Sequence, residues 1–501
     1  MLKSFLAKIY AKQTSKKISK WVNKPVETQD RIFKNLIDQA KNTLFGKDHS
    51  FETIESYSDF RSKVPIRDYE ALKPYVEKVK EGKKDILWKG KPIYFAKTSG
   101  TTSGAKYIPI TKESMPFHIS AAKEALLMYI ADTGNVNFVN GKMIFLQGSP
   151  VIDDMDHIKT GRLSGIVAHY VPQYLQKNRM PSWTTNCIED WETKVNAIVK
   201  ETVVEDMRLI SGIPSWVQMY FEKLIESEDK EISEIFPNFS LFVYGGVNYE
   251  PYRKNMESLI GKKIDSIELF PASEGFFAYQ DKQNRTGLNK LGMLLLLNHG
   301  IFYEFIPAGE FFDKDPTRIT IADVKLGVNY VMIISTNAGL WAYNIGDTVE
   351  FTSLNPYRII VSGRIKHFIS AFGEHVIAKE VEQALQVAIT DTPIRINEFT
   401  VAPEVNPDEG LPYHEWFIEF ESAPENLLEF AEKIDREMQK QNSYYFDLLE
   451  GNILKTLKVS KVSKNGFKNY MRSKGKLGGQ NKIPRLSNDR EIVDQLVLDK
   501  L

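Results

Sequence analysis

Between about residues 140 and 275, short apolar runs that end in small residues (KMIFLQGS, RLISGI, LFVYGGV and DSIELFPAS) alternate with stretches of helical periodicity. Strands covered by helices on both faces lose the polar half of the two-residue alternation, so this pattern predicts a parallel sheet. After residue 290 the runs become GMLLLLNHGIFYEFIPA, RITIADV, YVMIISTNAGLWAYNIGDTVEFT and YRIIVSG, strand-rich and punctuated by turn residues, which predicts a β-subdomain. Upstream, residues 26–81 are helical and charged, with interruptions predicted at Pro65 and Pro74, and ILWKGKPIYFAK predicts paired strands. Beyond GRIKHFIS come a helix (VIAKEVEQALQVAI), strands (EFTVAPE, YHEWFIEFE), a second helix (PENLLEFAEKIDREMQKQ) and a lysine-rich tail. The fold class is therefore α/β. A large N-terminal domain over 1–365 holds parallel sheets and the β-subdomain, and a small α+β C-terminal domain occupies 366–501. There is no repeat at solenoid period.

Composition narrows the function. Of 501 residues, 42% are apolar and 26% charged, which excludes disordered, collagen-like and coiled-coil chains. Sixty-five basic residues cancel 65 acidic ones, leaving no surplus for a nucleic-acid partner. One cysteine, Cys187, rules out a disulfide framework and cysteine-based metal sites, and predicts a reducing, cytoplasmic setting. MLLLL at 293–297 is too short to span a bilayer, so no transmembrane segment is predicted. The first 24 residues carry seven lysines and no acid, with Leu2, Phe5, Leu6 and Ile9 at helical spacing. The expectation is a basic amphipathic helix packed on its own domain, with a membrane-surface helix or transit peptide as the alternative.

The strongest local signal is Thr98-Ser99-Gly100-Thr101-Thr102-Ser103-Gly104-Ala105-Lys106, directly after a strand-like IYFA. Glycines let backbone approach an anion, hydroxyls and amides donate to phosphate oxygens, and a lysine adds a point charge. This predicts a nucleotide phosphate grip. It is not a Walker A loop, since three residues, not four, separate Gly100 from Gly104.

At this loop the chain resembles the acyl-adenylate-forming superfamily, which includes firefly luciferase and acyl-CoA ligases. Further signatures follow in order: YGGV (244–247), FPASE (270–274), YNIGD (343–347), GRIKHFISAFGEHV (363–376) and QNKIPR (480–485). Within the superfamily it is most similar to the auxin-responsive acyl acid amido synthetases, through VPIRDYE, TSGTTSGAKYIP, FYEFIP, DVKLGVNYVMIISTNAGLWAYNIGD and QNKIPR, and is identified as a bacterial-type member. The similarity spans Val64 to Arg485.

The resemblance implies a large adenylate-forming domain, a small domain moving on a hinge at Lys366, and a set of roles. Gly245 and Gly246 lie flat against adenine, Phe270 stacks on it, and Ser273 reaches phosphate. Glu274 holds Mg²⁺, a hard cation that needs carboxylate oxygen. Asp347 accepts both ribose hydroxyls, Arg364 donates to ribose or phosphate, and Lys482 comes to the α-phosphate. Asn344 departs from the plant pattern, which has arginine there.

The implied activity is ATP-dependent adenylation of a small carboxylic acid and acyl transfer to an amine, usually an amino acid, with Mg²⁺ as cofactor and no obligate protein partner. Alternatives are an acid–thiol ligase using coenzyme A and a noncatalytic nucleotide-binding module. A hydrolase is disfavoured, as neither GxSxG nor HExxH occurs. His118, His169, His299, His367 and His375 are scattered and read as structural or solvated. Phe276, Phe277, Tyr279 and residues near 170 are candidates for an acyl pocket, and equally for core.

Overall fold

A computed structural model of the chain describes residues 2–99, 105–155, 157–171, 176–246, 249–283, 291–365, 368–369, 376–450, 453–477, 482–487 and 489–499. The chain forms two compact units, Met1–Val247 with Lys263–Ile360, and Asn248–Lys262 with Val361–Leu501. The break after Ile360 falls a few residues before Lys366. A short helical segment upstream belongs to the second unit, a grouping no composition shift announces.

In the first unit, the apolar runs of the sequence become strands of one twelve-stranded sheet. Lys142–Phe145, Met207–Ser211, Leu241–Gly245 and Asp265–Ala272, the predicted apolar runs, lie side by side and parallel, with the short strand Arg179–Met180 added parallel at the edge beside Lys142–Phe145. At Gly275–Tyr279 the direction reverses. The strand-rich half then extends the same sheet, with antiparallel pairing at Met293–Leu295, Ile301–Pro307 and Asn329–Thr336. The predicted β-subdomain is thus continuous with the parallel strands. A smaller sheet orders Ala105–Ile110, Tyr94–Ser99, Ile158–Gly161 and Asp153–Met155.

Two local expectations are corrected. ILWKGKP forms no strand, and pairing begins only at Tyr94. Ile86, Leu87 and Trp88 are apolar because they are buried, while their backbone serves other segments: Phe45 N donates to Ile86 O (2.9 Å) and Trp341 Nε1 to Leu87 O (3.0 Å). Pro74 interrupts nothing either, since it lies inside helix Tyr69–Lys80. Asp68 caps that helix by accepting from Ala71 N, and burial of Tyr69, Leu72, Val76 and Val79 along one face outweighs one lost backbone bond.

Helix Leu2–Val22 does pack on its own unit, against helix Met115–Thr133. It does so through Ala11, Ile18 and Trp21, whereas Leu2, Phe5, Leu6 and Ile9 are exposed. In the partner helix His118 is buried, and burial pushes its pKa down from 6.5 to about 4. The folded chain therefore holds a neutral imidazole that the unfolded chain protonates first. That stability is present above the unfolded pKa and is lost as pH falls towards the folded one. Between pH 7 and pH 5, His118→Leu is expected to remove about 2 kcal/mol of acid sensitivity from the unfolding free energy. Denaturant titrations at the two pH values check this, and parallel pH slopes in the two proteins would contradict it.

The second unit packs helices Ala378–Ile389 and Leu427–Gln441 on a three-stranded sheet ordered Arg395–Glu404, Tyr413–Ser422, Lys458–Val462. Val381, Leu385, Trp416, Ile418, Phe430, Ile434 and Met438 form its core. The two helices and the first two strands are those that periodicity places there, whereas strand Lys458–Val462 lies in the segment expected to be a lysine-rich tail.

Candidate active site

The hydroxyl-rich segment begins and ends on two paired strands. Tyr94–Ser99 pairs antiparallel with Ala105–Ile110, setting Thr98 opposite Lys106 and Ser99 opposite Ala105. Directly opposed residues share a face, so Thr98 and Lys106, both half-buried, stand together at the loop's base. Gly100, Thr101, Thr102, Ser103 and Gly104 lie outside the described residues.

A second group sits at the carboxyl ends of the parallel strands, where open α/β sheets bind ligands. Gly245 pairs with Leu269, which brings YGGV and FPASE side by side. A Cβ on Gly245 would come 2.6 Å from Leu269 O, so the neighbouring strand alone demands glycine there. Gly246 follows with φ +83°, a left-handed conformation that favours glycine. Because Ala272 pairs with Gly275, Ser273 and Glu274 are the two residues of a tight turn, both half-buried. Phe270 is 7% exposed and meets Phe277 edge-on, with ring centroids 5.1 Å apart.

Asp347 occupies a bulge. Val331 pairs with Thr348 and Ile333 with Asn344, so Ile345, Gly346 and Asp347 all face Met332. Such insertions bend the strand and re-aim a side chain. Gly346 takes φ +87°, and Asn344 Oδ1 accepts from Gly346 N (2.8 Å), so the residue that departs from the plant pattern braces the bulge itself.

The sequence motif VPIRDYE, to which no role attaches by composition, ties the hairpin to the bulged strand. Arg67 N donates to Ala342 O (3.0 Å) and Asn344 N to Arg67 O (2.8 Å). Two residues on, Tyr69 OH accepts from Tyr107 N in the hairpin (2.9 Å), and Lys106 Nζ lies 5.8 Å from the Tyr69 ring centre. Arg67 and Tyr69 were missed because their partners are far away in sequence. Removing the acceptor in Tyr69→Phe is expected to cost about 1 kcal/mol at the hairpin and to raise the KM for ATP roughly fivefold. Steady-state kinetics at varied ATP check this, and an unchanged KM in a destabilised variant would contradict it.

In the second unit, Arg364 is exposed at the end of strand Tyr357–Arg364, and Lys366 lies outside the described residues. Lys482 is exposed, but the residues after it are pinned along strand Arg395–Glu404. Thr400 Oγ1 donates to Pro484 O (2.7 Å), Val401 N to Arg485 O (3.0 Å) and Ser487 N to Val401 O (2.9 Å). Buried Arg485 donates to the Glu398 carboxylate, to Phe399 O (3.1 Å) and to Tyr252 OH. Lys482 stands three residues from that anchor, so its backbone is held close to a fixed point.

The donor set suits Mg²⁺ arriving with phosphates. Among the described residues no cluster of three or more His, Cys, Asp or Glu could hold a metal ion. Mg²⁺ on a nucleotide needs only one or two carboxylates, phosphate oxygens and water, and the half-buried turn carboxylate of Glu274 meets that need.

Of the histidines, His169 Nε2 bonds Pro150 O (2.9 Å) and His299 Nε2 lies 3.2 Å from the Glu124 carboxylate. His367 and His375 lie outside the described residues. Phe276, Phe277 and Tyr279 are buried in their strand.

This fold is that of the adenylate-forming enzymes. An acyl acid amido synthetase solved with 2,4-DB superposes with TM-score 0.78 at 15% identity, over 98% of each chain. A 2-hydroxyisobutyryl-CoA ligase in the postadenylation state superposes with TM-score 0.59 at 12% identity, over 93% of this chain and 90% of the other. Family models narrow the class further, for the GH3 family N-terminal domain matches residues 14–150, its central domain 294–364 and its C-terminal domain 379–491. The chain belongs to the GH3 family. A jasmonoyl-L-amino acid synthetase of Nicotiana attenuata is 22% identical over 479 residues, covering 81% of this chain and 82% of that protein.

Proposed function

We infer that this chain is an AMP-forming acid–amino acid ligase that adenylates a carboxylic acid with ATP and passes the acyl group to an amine. The observation that carries this reading is the segment Arg67–Tyr69, hydrogen-bonded on one side to the strand of Asp347 and on the other to the hairpin of Thr98 and Lys106. Ribose and phosphate groups of one nucleotide need such a fixed spacing.

In the first half-reaction a carboxylate oxygen attacks the α-phosphorus of ATP. The bond from that phosphorus to the bridging oxygen breaks, and pyrophosphate leaves. In the second, an amine nitrogen attacks the acyl carbon, the bond to the AMP oxygen breaks, and the ammonium proton is released. Thr98, Ser99, Gly100, Thr101, Thr102, Ser103, Gly104, Lys106 and Ser273 hold the phosphates. Gly245, Gly246 and Phe270 receive adenine, with Asp347 and Arg364 on the ribose. Lys482 neutralises the α-phosphate as the carboxylate approaches, and the small domain pivots about Lys366. Glu274 would hold Mg²⁺, which would supply charge neutralisation at the phosphates. The single cysteine supports a cytoplasmic setting.

The nucleotide product tests the reading. ATP labelled at the α-phosphate is expected to yield labelled AMP, dependent on an acid, and labelled ADP would overturn adenylation.

A further inference from the structure

We propose that helix Leu2–Val22 seats this protein on an anionic lipid surface. The helix is attached to the first unit by one side: Ala11, Ile18 and Trp21 are buried, and Ser4 Oγ bonds Asn140 Oδ1 (3.2 Å). At 3.6 residues per turn, Leu2, Phe5, Leu6 and Ile9 fall within an arc of about 100° on the opposite side. That stripe faces outwards, with Leu2 72%, Phe5 63% and Ile9 38% exposed. Periodicity alone would bury these four residues, yet the helix packs with its other face. The same outer side continues as Lys16 and Lys20, flanked by Lys12 and Lys17, and no acid occurs before Glu27.

Charge decides the occupant. Lys24 pairs with Glu27 (2.8 Å), and the six lysines at 3–20 are a local cationic feature of a chain that is neutral by formal charge, which suits an anionic partner. A second copy meeting this face symmetrically would oppose two lysine rows. A nucleic acid would use the lysines, but its phosphates offer nothing to four projecting apolar side chains. A bilayer with anionic headgroups satisfies both, apolar side chains entering the acyl boundary and lysines remaining at the phosphates. Among the described residues no helix is long and apolar enough to cross a membrane, so the contact lies in the interface plane. Lys123 adds a further cation at the edge, 6.0 Å from the Tyr10 ring centre.

The full chain should be sedimented with vesicles of phosphatidylcholine alone and of phosphatidylcholine with roughly one-third phosphatidylglycerol. Partition onto the anionic vesicles is expected to exceed that onto neutral ones by about tenfold or more. The double variant Phe5→Ser, Ile9→Ser is expected to lower anionic partition by about 30-fold or more, with thermal stability and lipid-free activity unchanged. Equal partition onto both vesicles, none onto either, or a double variant that partitions like the parent would overturn the proposal. So would a concentration-dependent dimer of the parent that the double variant abolishes.

Discussion

Lys482→Ala is expected to slow acyl-adenylate formation by about 10²–10³-fold, the scale of one electrostatic group lost from a reacting centre. In the proposed reaction the barrier arises when an anionic carboxylate approaches an anionic α-phosphate, and a cation there is worth most in the transition state. Chain placement should survive the substitution, because Pro484, Arg485 and Ser487 are held to strand Arg395–Glu404 by hydrogen bonds to Thr400, Val401 and Phe399. Amide formation from acyl adenylate supplied ready-made should therefore be nearly unaffected, since no second anion approaches in that step. Single-turnover measurements of the two steps check the pair of outcomes. Adenylation at the parent rate would remove Lys482 from the mechanism, and equal loss in both steps would make its role structural.

Glu274→Gln should produce a loss of similar size, about 10²–10³-fold in adenylation, through a different dependence. Glutamine keeps the shape of the Ser273-Glu274 turn but offers a neutral oxygen to a hard dication, which binds carboxylate in preference. The deficit should therefore shrink as Mg²⁺ is raised, whereas the Lys482→Ala deficit should not. Rates measured across a Mg²⁺ series distinguish them. A Glu274→Gln enzyme whose rate and Mg²⁺ dependence match the parent would show that the metal is held elsewhere.

The parallel strands were legible because burial on both faces leaves apolar runs, and two of the runs, LFVYGGV and DSIELFPAS, end where Gly245, Gly246, Ser273 and Glu274 lie at the carboxyl edge of the sheet. The bulge at Asp347 was partly legible, since a glycine inside a strand run marks a backbone irregularity. Other features depend on contacts distant in sequence. Tyr69 bonds Tyr107 across a gap of 38 residues, and Arg67 bonds the strand of Asn344; neither leaves a local pattern. Leu87 and Trp88 mimic a strand because the core needs their side chains, whatever their backbone does. Gly245 shows that one residue can satisfy two demands. Its closeness to Leu269 O explains the glycine without a ligand, so the motif alone could not separate packing from adenine recognition. At the N-terminal helix the apolar stripe is visible in the sequence, but the buried face is the opposite one, carrying Ala11, Ile18 and Trp21.

Pyrophosphate release from Mg·ATP with a panel of small carboxylic acids tests the central claim most directly. Each acid is run with no acceptor, with mixed amino acids and with coenzyme A. The predicted result is acid-dependent release that rises with amino acids and yields an amide and AMP. Stimulation by coenzyme A with a thioester product, or ATP binding without turnover across the panel, would contradict it.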